Sequence, residues 1–407
     1  MNGLESGGTS PSGSGFRGGP AARFGSGLLD EVGGEVSGET GSEGTAHAAV
    51  DVLVIGGGIA GATLHYYLAR SGVDSLLVDA GAEGASGASS VPAALLNPNR
   101  GRSGRSSLAD QEGLAAFWRL VAELEAAGHE PGATRSGVLR VADNPRQARA
   151  WRRLPDTTWL EPGAVDPVYH APFGAMLVER GGWVRPALLL GALEAGAAAA
   201  GGRTRRGIDV GGLSETVTGV SATIDGGAIV ARKAVLCTGA ATRPGLRQPA
   251  FETVWGEALV LSAPVAAPYP LAGAVVAAFG PVGPAGMAEV YVTGGHSAAP
   301  APAWPHEQWS GPAPEGDGGA EGDGVAGVAR PPHPLVSALA WQVPGVAGAR
   351  VVRRWVGARA KRPSGEPVAR RLTRNVHVLG ALGGRGFLRA ATLAEALGRR
   401  LVEELAR

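Results

Sequence analysis

The 407-residue chain has little of several residue types, and each shortage excludes a class of protein. A single cysteine, Cys237, excludes an intramolecular disulfide and any cysteine-cluster metal site. The formal charge of +1 gives no argument for the whole chain binding nucleic acid or an anionic membrane. The sequence has no run of 18 apolar residues and no basic start followed by an apolar core. We therefore expect a cytoplasmic protein with no metal, no secretory signal and no membrane contact.

Glycine and proline, in contrast, are abundant at 67 and 29 residues, about a quarter of the chain. Part of this excess lies in two segments. Residues 1–49 have no periodic apolar pattern, which predicts a disordered tail. Residues 296–334 combine glycine and proline with a short acidic run, which predicts a surface insertion. The rest is apolar enough for a globular protein, since 44% of all residues are hydrophobic.

The ordered part begins with a β-α-β unit. The apolar runs DVLVI at 51–55 and SLLVD at 75–79 predict buried parallel strands, and 59–70 between them has helical spacing. The later pattern predicts strands and helices that alternate along the chain. We expect helices at 114–124, 186–200 and the C-terminus, and strands at 217–224, 228–231, 234–238, within 251–295 and at 376–380.

A dinucleotide-binding fingerprint stands between the first strand and the first helix. Gly56, Gly58 and Gly61 satisfy the G-x-G-x-x-G pattern, and Asp79 follows at the end of the second strand. The glycines permit a tight turn, close approach of a pyrophosphate and close packing of the helix on the sheet. An acidic side chain at that place accepts hydrogen bonds from ribose hydroxyls and repels a 2′-phosphate. The pattern therefore favours FAD or NAD over NADP.

Later motifs distinguish between the two dinucleotides. They are ARKAVLCTGA at 231–240, GWVRP at 182–186, WVGAR at 355–359, PSGEP at 363–367 and GALGGRGF at 380–387. With these motifs the chain resembles the D-amino-acid-oxidase-type (DAO) superfamily of FAD-dependent oxidoreductases over residues 50–407, apart from the insertion. GASGASS, AALLNP and GGRGF are also similar to the FAD domain of bifunctional tRNA wobble-uridine modification enzymes. Two departures are a longer small-residue loop and Gly384 in place of the usual serine.

The resemblance implies an α/β fold with a discontinuous, Rossmann-like, three-layer FAD-binding domain and a mixed or antiparallel-sheet substrate domain. The first would comprise 50–134, 184–248 and 346–407, and the second 135–183 and 249–345. Together with the fingerprint, it implies non-covalent FAD and these contact residues: Gly56, Gly58, Ile59, Ala60, Gly61, Asp79, Ala80, Ser86, Ser89, Ser90, Ala94, Leu95, Thr238, Gly239, Ala240, Gly383, Gly384, Arg385, Gly386 and Phe387.

The implied reaction is oxidation of the C–N bond of a small amine or amino acid, with hydride transfer to flavin N5. A substrate carboxylate would need arginine, and Arg359 and Arg385 are the candidates. The alternative is removal of the carboxymethyl group from carboxymethylaminomethyl-uridine in tRNA. Nine basic residues at 350–374, with Arg100, Arg102 and Arg105, could then meet an RNA backbone. A non-catalytic flavoprotein and an NAD dehydrogenase are the remaining alternatives, and the oligomeric state is left open.

Overall fold

The computed structural model describes residues 49–82, 87–241, 245–246, 248–273, 275–297 and 333–407. These residues belong to one compact unit that spans 45–407. Almost all of the predicted tail, most of the predicted insertion and the candidate Ser86 lie outside the described residues.

The described residues form nineteen strands and six α-helices, with short 3₁₀ turns between some of them. The strands are β1 Val50–Ile55, β2 Ser75–Asp79, β3 Ala94–Leu96, β4 Ala133–Thr134, β5 Val138–Val141, β6 Thr158–Leu160, β7 Ala175–Val178, β8 Gly182–Val184, β9 Arg203–Arg206, β10 Val210–Glu215, β11 Val220–Ile224, β12 Gly227–Leu236, β13 Glu252–Ala263, β14 Leu271–Ala272, β15 Val276–Val282, β16 Ala288–Ser297, β17 Arg350–Lys361, β18 Val368–Arg371 and β19 Val376–Gly380. The helices are α1 Ile59–Arg70, α2 Leu108–Ala126, α3 Pro145–Trp151, α4 Pro186–Ala199, α5 Pro334–Gln342 and α6 Gly386–Leu405.

The first sheet joins segments that are far apart in the sequence. Its path is β10-β11-β12-β1-β2-β9, and β19 pairs with the second half of β12. β1, β2, β9, β12 and β19 are parallel. The short apolar runs of β1 and β2 predict this, whereas β9, with the sequence RTRR, was not predicted. The predicted β-α-β unit is confirmed, and so is the α/β fold class.

Successive residues of β1 belong to different cores because strand side chains alternate between faces. Val52 and Val54 pack in the core that contains α1, α2, α4 and α6. Leu53 and Ile55 pack on the opposite face, in the core that contains β10 and β11. The parallel sheet is therefore the middle of three layers.

The second sheet is antiparallel apart from one pair, β14 with β5. Its order is β17-β13-β16-β15-β14-β5-β7-β6, and its core includes side chains of α5. β17 pairs with β13 along its whole length. The predicted domain boundary at residue 346 thus lies ahead of a strand that belongs to this second sheet. A further small sheet has the order β3-β8-β4.

Three element predictions differ from the structure most clearly in extent. The strands predicted at 228–231 and 234–238 are one strand, β12. The polar pair Arg232–Lys233 does not interrupt it, because Arg232 binds Asp51 and Lys233 binds Asn375 at the sheet margin. The helix predicted at 114–124 is longer, because Ser107 caps α2 by accepting a hydrogen bond from the Asp110 amide. β16 runs to Ser297 and α5 starts at Pro334, so both ends of the predicted insertion are regular structure.

No helix of the described ranges combines the length and the hydropathy that a membrane-spanning helix requires.

Candidate active site

The fingerprint glycines form a turn in which the backbone leaves no room for side chains. Gly56 has φ of +109°, and a Cβ there would lie 2.5 Å from the carbonyl oxygen of Cys237. A Cβ on Gly61 would lie 1.9 Å from the carbonyl oxygen of Gly56. Both obstacles are backbone atoms, which cannot rotate away as a flexible side chain can. The turn between β1 and α1 therefore requires glycine at both positions.

The N-terminus of α1 is the part of this turn that suits an anion. The first amides of a helix lack partners within the helix and lie at the positive end of its dipole. The Ser89 hydroxyl accepts a hydrogen bond of 3.0 Å from the Ile59 amide. A Cβ on Gly58 would meet that hydroxyl at 3.0 Å. Bare backbone and one serine hydroxyl thus surround the helix end, which fits a dinucleotide pyrophosphate.

Asp79 lies at the C-terminal end of β2, directly beside the turn. One carboxylate oxygen accepts the Gly57 amide at 2.5 Å and the other accepts the Gly81 amide at 2.8 Å. Each oxygen has a second lone pair, and Asp79 lines the cavity described below. The two amides fix the direction of the carboxylate, and a ribose hydroxyl can still donate to it.

One cavity of about 890 Å³ brings most of the predicted residues together. Its apolar and polar lining comes from the ends of β1, β2, β12 and β19 in the first sheet and from strands of the second sheet. Gly61, Ser90 and Arg385 are not among the lining residues. The predicted residues that line it are Gly56, Gly58, Ile59, Ala60, Asp79, Ala80, Ser89, Ala94, Leu95, Thr238, Gly239, Ala240, Arg359, Gly383, Gly384, Gly386 and Phe387.

The glycine loop at 380–387 joins β19 to α6 and is held from behind. Arg385 forms ion pairs with Asp110 of α2 and with Glu366, each at 3.5 Å, and also donates to the Gly365 carbonyl. Arg389 donates to the same Asp110 carboxylate at 3.0 Å. The Arg385 guanidinium is thus directed to two carboxylates, and its contacts hold the loop in place.

Arg359 reaches the cavity across a pair of glycines. On β17, side chains two residues apart share a face, so Trp355, Gly357 and Arg359 lie in a row. Gly357 pairs with Gly256 of β13. A Cβ on Gly357 would meet the Trp355 ring at 2.2 Å, and one on Gly256 would meet the Arg359 guanidinium at 2.5 Å. The glycine pair therefore leaves space for both large side chains.

Arg100 also lines the cavity. From the sequence it was predicted only as one of several basic residues that could contact RNA. Its loop is fixed by Arg140 of β5, which donates to the carbonyls of Asn99 and Gly101 at 3.0 and 2.8 Å. A Cβ on Gly384 would lie 3.4 Å from the Arg359 guanidinium and 3.5 Å from that of Arg100. The two cations thus approach the same point of the glycine loop. The sequence signal was only an arginine-rich loop, 259 residues from Arg359.

Both guanidinium groups have a lowered pKa. For Arg359 the cause is burial. For Arg100 the largest cause is burial, followed by repulsion from Arg385, while Asp110 acts in the opposite direction. Arginine stays protonated at neutral pH in spite of such shifts, so both groups carry charge. In the part of the chain that the structure describes, neither guanidinium has a carboxylate in ion-pair contact.

Cys237 lies buried behind the fingerprint turn, and this position predicts low reactivity. Burial raises the pKa of its thiol, and the thiolate is the nucleophilic form. We expect a disulfide reagent such as DTNB to react with the native protein more than about 100-fold more slowly than with the urea-unfolded chain. Since the chain has one cysteine, the absorbance change reports this thiol alone. Equal rates in the two states would contradict the buried position.

The parallel sheet between two other layers, the glycine turn on a helix N-terminus and the acid at the end of β2 define a dinucleotide-binding protein. The cavity continues beyond the turn to Arg359 on the second sheet and to Arg100 on the loop after β3. A match to the family "FAD dependent oxidoreductase" (DAO) covers residues 51–400, and the chain belongs to that family. FAD is accordingly its cofactor, and the predicted recognition and enzyme class are confirmed.

Two solved structures are similar in fold. Glycine oxidase from Geobacillus kaustophilus has a TM-score of 0.67 and 23% identity, with 87% of this chain and 95% of that chain covered. Iminodiacetate oxidase from Chelativorans sp. BNC1 has a TM-score of 0.65 and 20% identity, with 86% and 95% covered. At these identities the similarity shows the fold alone.

One curated protein matches over a short segment. The tRNA 5-methylaminomethyl-2-thiouridine biosynthesis bifunctional protein MnmC of Maricaulis maris is 44% identical over 66 residues. The matched segment is 16% of this chain and 11% of that protein. The match therefore covers about a tenth of the relative's length.

Proposed function

We propose that this protein oxidises the C–N bond of a small amine that carries a carboxylate, as an amino acid does. The observation that supports this most strongly is the Arg359 guanidinium, which reaches the FAD cavity beside the glycine loop. Guanidinium binds a carboxylate through two parallel hydrogen bonds, which sets both the position and the orientation of the substrate. The structural relatives named as oxidases of glycine and iminodiacetate support the same substrate class.

We propose that the fingerprint holds FAD, with the pyrophosphate at Gly58 and Ser89 and the adenosine ribose at Asp79. The loop at 380–387 would lie against the flavin ring. Bound FAD supplies the two-electron oxidant. Overall, the carbon next to nitrogen would give a hydride, one hydrogen with two electrons, to the flavin, and water would convert the resulting iminium into a carbonyl compound and ammonia or an amine.

The described lining contains no histidine, tyrosine, lysine or glutamate, and its only acidic side chains are Asp79 and Asp209. Asp79 is held by two amides at the fingerprint turn. We propose that the protein provides no general base for this reaction, so that the amine reacts in its neutral form. The task of Arg359 is then positioning, and apolar residues such as Leu95 and Phe387 limit water around the substrate.

This mechanism predicts that the pH dependence of kcat/KM follows the pKa of the substrate amine and not the pKa of a protein group. We expect kcat/KM to rise about tenfold for each pH unit below the pKa of the substrate amine and to level off above it. Two substrates whose amine pKa values differ should therefore give profiles displaced by the same difference. Profiles with one common pKa for both substrates would show that a protein group takes the proton.

A substitution that displaces Arg359 without removing it tests the glycine pair. In Gly256→Ala, the added methyl group would occupy the space of the guanidinium. We expect KM for a carboxylate-bearing amine to rise about tenfold, since one charge-assisted contact is weakened, while the FAD content stays the same. Gly348→Ala is the control, because nothing lies within 4 Å of its Cβ position. An unchanged KM in Gly256→Ala would contradict the observed position of Arg359.

The experiment that tests the proposal is an anaerobic titration of the purified protein. FAD binding is followed by its absorption spectrum, and small amino acids and secondary amines are then added. We expect the yellow colour to bleach with carboxylate-bearing amines and to bleach much more slowly with matched amines that lack the carboxylate. Absence of bleaching by all amines, in a protein that does bind FAD, would overturn the proposal.

A second candidate function, removal of the carboxymethyl group from carboxymethylaminomethyl-uridine in tRNA, is favoured by the short match to MnmC. This function requires one continuous basic surface near the cavity entrance, where the tRNA backbone would bind. The basic stretch at 350–374 divides between β17 in the second sheet and β18 in the first. Within it, Arg354 pairs with Glu257 and Lys361 pairs with Glu252. Bleaching by tRNA that bears this group, and not by free amino acids, would select this candidate.

A further inference from the structure

The cavity has an excess of positive charge beside the glycine loop. Four arginines lie around the loop: Arg100, Arg359, Arg385 and Arg389. Two carboxylates compensate them, since Asp110 and Glu366 each pair with both Arg385 and Arg389. Arg359 and Arg100 line the cavity, and the described residues place no carboxylate in ion-pair contact with either guanidinium. Two positive charges are thus left facing the space where a substrate would lie.

These two charges lie close to one another. Both guanidinium groups lie within contact distance of the same point, the Cβ position of Gly384, at 3.4 Å for Arg359 and 3.5 Å for Arg100. Arg359 is half-buried and Arg100 is exposed, and two like charges this close repel each other, which is a cost to the empty protein. A ligand with a negative charge for each guanidinium removes that cost and gains two charge-assisted contacts.

The backbone on both sides of Arg100 is held in position by the protein. Arg140 donates to the carbonyls on both sides of it, at Asn99 and Gly101, and the Arg140 guanidinium lies 4.7 Å from the centre of the Trp151 ring. Gly384 has no side chain, so the space between Arg100 and Arg359 is open to a ligand. An arginine on a fixed stretch of backbone, beside an open space, has the properties of a binding group.

We propose that the substrate is an amine with two carboxylates, and that Arg359 binds one of them and Arg100 the other. This inference rests on the proposed function and makes its substrate class narrower. Arg100 is then the residue that determines specificity, because it distinguishes a dicarboxylate from a monocarboxylate with the same amine. Arg385 and Arg389 keep the loop in position through Asp110 and Glu366.

The test compares two ethers that cannot react as amines and differ by one carboxylate, oxydiacetate and methoxyacetate. Their dissociation constants are measured on the FAD-loaded protein by calorimetry and by perturbation of the flavin spectrum, at one fixed ionic strength. We expect oxydiacetate to bind the wild-type protein at least about tenfold more tightly, the effect of one additional charge-assisted contact. Equal dissociation constants would overturn the proposal without touching the oxidation of monocarboxylate amines.

Variants at Arg100 assign the effect to this residue. Arg100→Ala should remove the preference for oxydiacetate and change the affinity for methoxyacetate less than about threefold, while Arg100→Lys should retain part of the preference. Arg105→Ala is the matched control, since Arg105 is an exposed residue of the same loop that does not line the cavity, and it should retain the full preference. An Arg100→Ala protein that keeps the preference overturns the proposal.

Two other results would also overturn it. If Arg100→Ala loses FAD under conditions in which Arg105→Ala keeps it, Arg100 serves the cofactor. If uridine monophosphate binds in a manner that depends on Arg100 and oxydiacetate does not, the second charge serves a nucleotide phosphate. Failure of every amine to bleach the flavin would instead count against the proposed function, while the two ethers would still be compared by calorimetry.

Discussion

Gly61→Ala is expected to give a protein with at least tenfold weaker FAD binding and a lower free energy of unfolding. The added Cβ would lie 1.9 Å from the carbonyl oxygen of Gly56 and 3.1 Å from Cβ of Cys237. To avoid this overlap, α1 must move away from β1, and the turn that would bind the pyrophosphate moves with it. Overpacking of this kind costs about 1–3 kcal/mol. Alanine is the better helix former by about 1 kcal/mol, which reduces the net loss.

The measurements are the FAD dissociation constant by fluorescence quenching and the unfolding midpoint of the apoprotein in urea. Gly191→Ala is the matched control, because Gly191 also lies in a helix, α4, and nothing lies within 4 Å of its Cβ position. We expect it to raise the free energy of unfolding by about 0.5–1 kcal/mol and to leave FAD binding unchanged. A Gly61→Ala protein that binds FAD normally would show that the close contact of helix and strand is dispensable.

Arg359→Ala is expected to raise KM for a carboxylate-bearing amine about 100-fold or more and to leave the FAD content unchanged. Loss of one member of a hydrogen-bonded charge pair costs about 2–5 kcal/mol, and every tenfold step corresponds to about 1.4 kcal/mol. Arg359→Lys should recover only part of the loss, because an ammonium group cannot form two parallel hydrogen bonds with the carboxylate. The measurement is steady-state kinetics together with the flavin spectrum.

Arg353→Ala is the control for this prediction, since Arg353 lies on the same strand, β17, and is exposed. Its kinetic constants should stay at the wild-type values. Amines without a carboxylate supply a second control, because their slow oxidation should not depend on Arg359. If Arg359→Ala lowers kcat and keeps KM, the residue does not bind the substrate in its ground state.

The first β-α-β unit shows how much of the fold follows from local sequence. Its strands and helix were predicted within one residue of β1, α1 and β2. Apolar runs, helical spacing and the glycine turn are all properties of neighbouring residues, and they act over short distances along the chain. β17 shows the opposite case. Its twelve residues read as a basic stretch, and its place in the second sheet depends on pairing with β13, about a hundred residues away.

Within the site, the two candidate arginines show the same contrast between what local sequence predicts and what distant contacts decide. Arg359 and Arg385 were selected as arginines in the motifs WVGAR and GALGGRGF that carry the family resemblance. The sequence does not say in which direction a side chain points when a distant element supplies its partner. Asp110 on α2 pairs with Arg385 from 275 residues away, and this contact directs Arg385 away from the cavity lining. Arg359 has the Gly256–Gly357 pair beside it and so reaches the cavity.

Local sequence is enough to predict the cofactor fingerprint, the apolar runs of β1, β2 and β19 and the family of this protein. These features depend on backbone geometry at particular glycines and on hydrophobic periodicity, and both are set by residues that are adjacent in the sequence. Only the tertiary structure brought Arg100 to the point where Arg359 ends, because hydrogen bonds from Arg140 on β5 hold the loop that carries it. The positive charge that a substrate must complement comes from Arg100 and Arg359, which are far apart in the sequence. They come close to each other only in the folded chain.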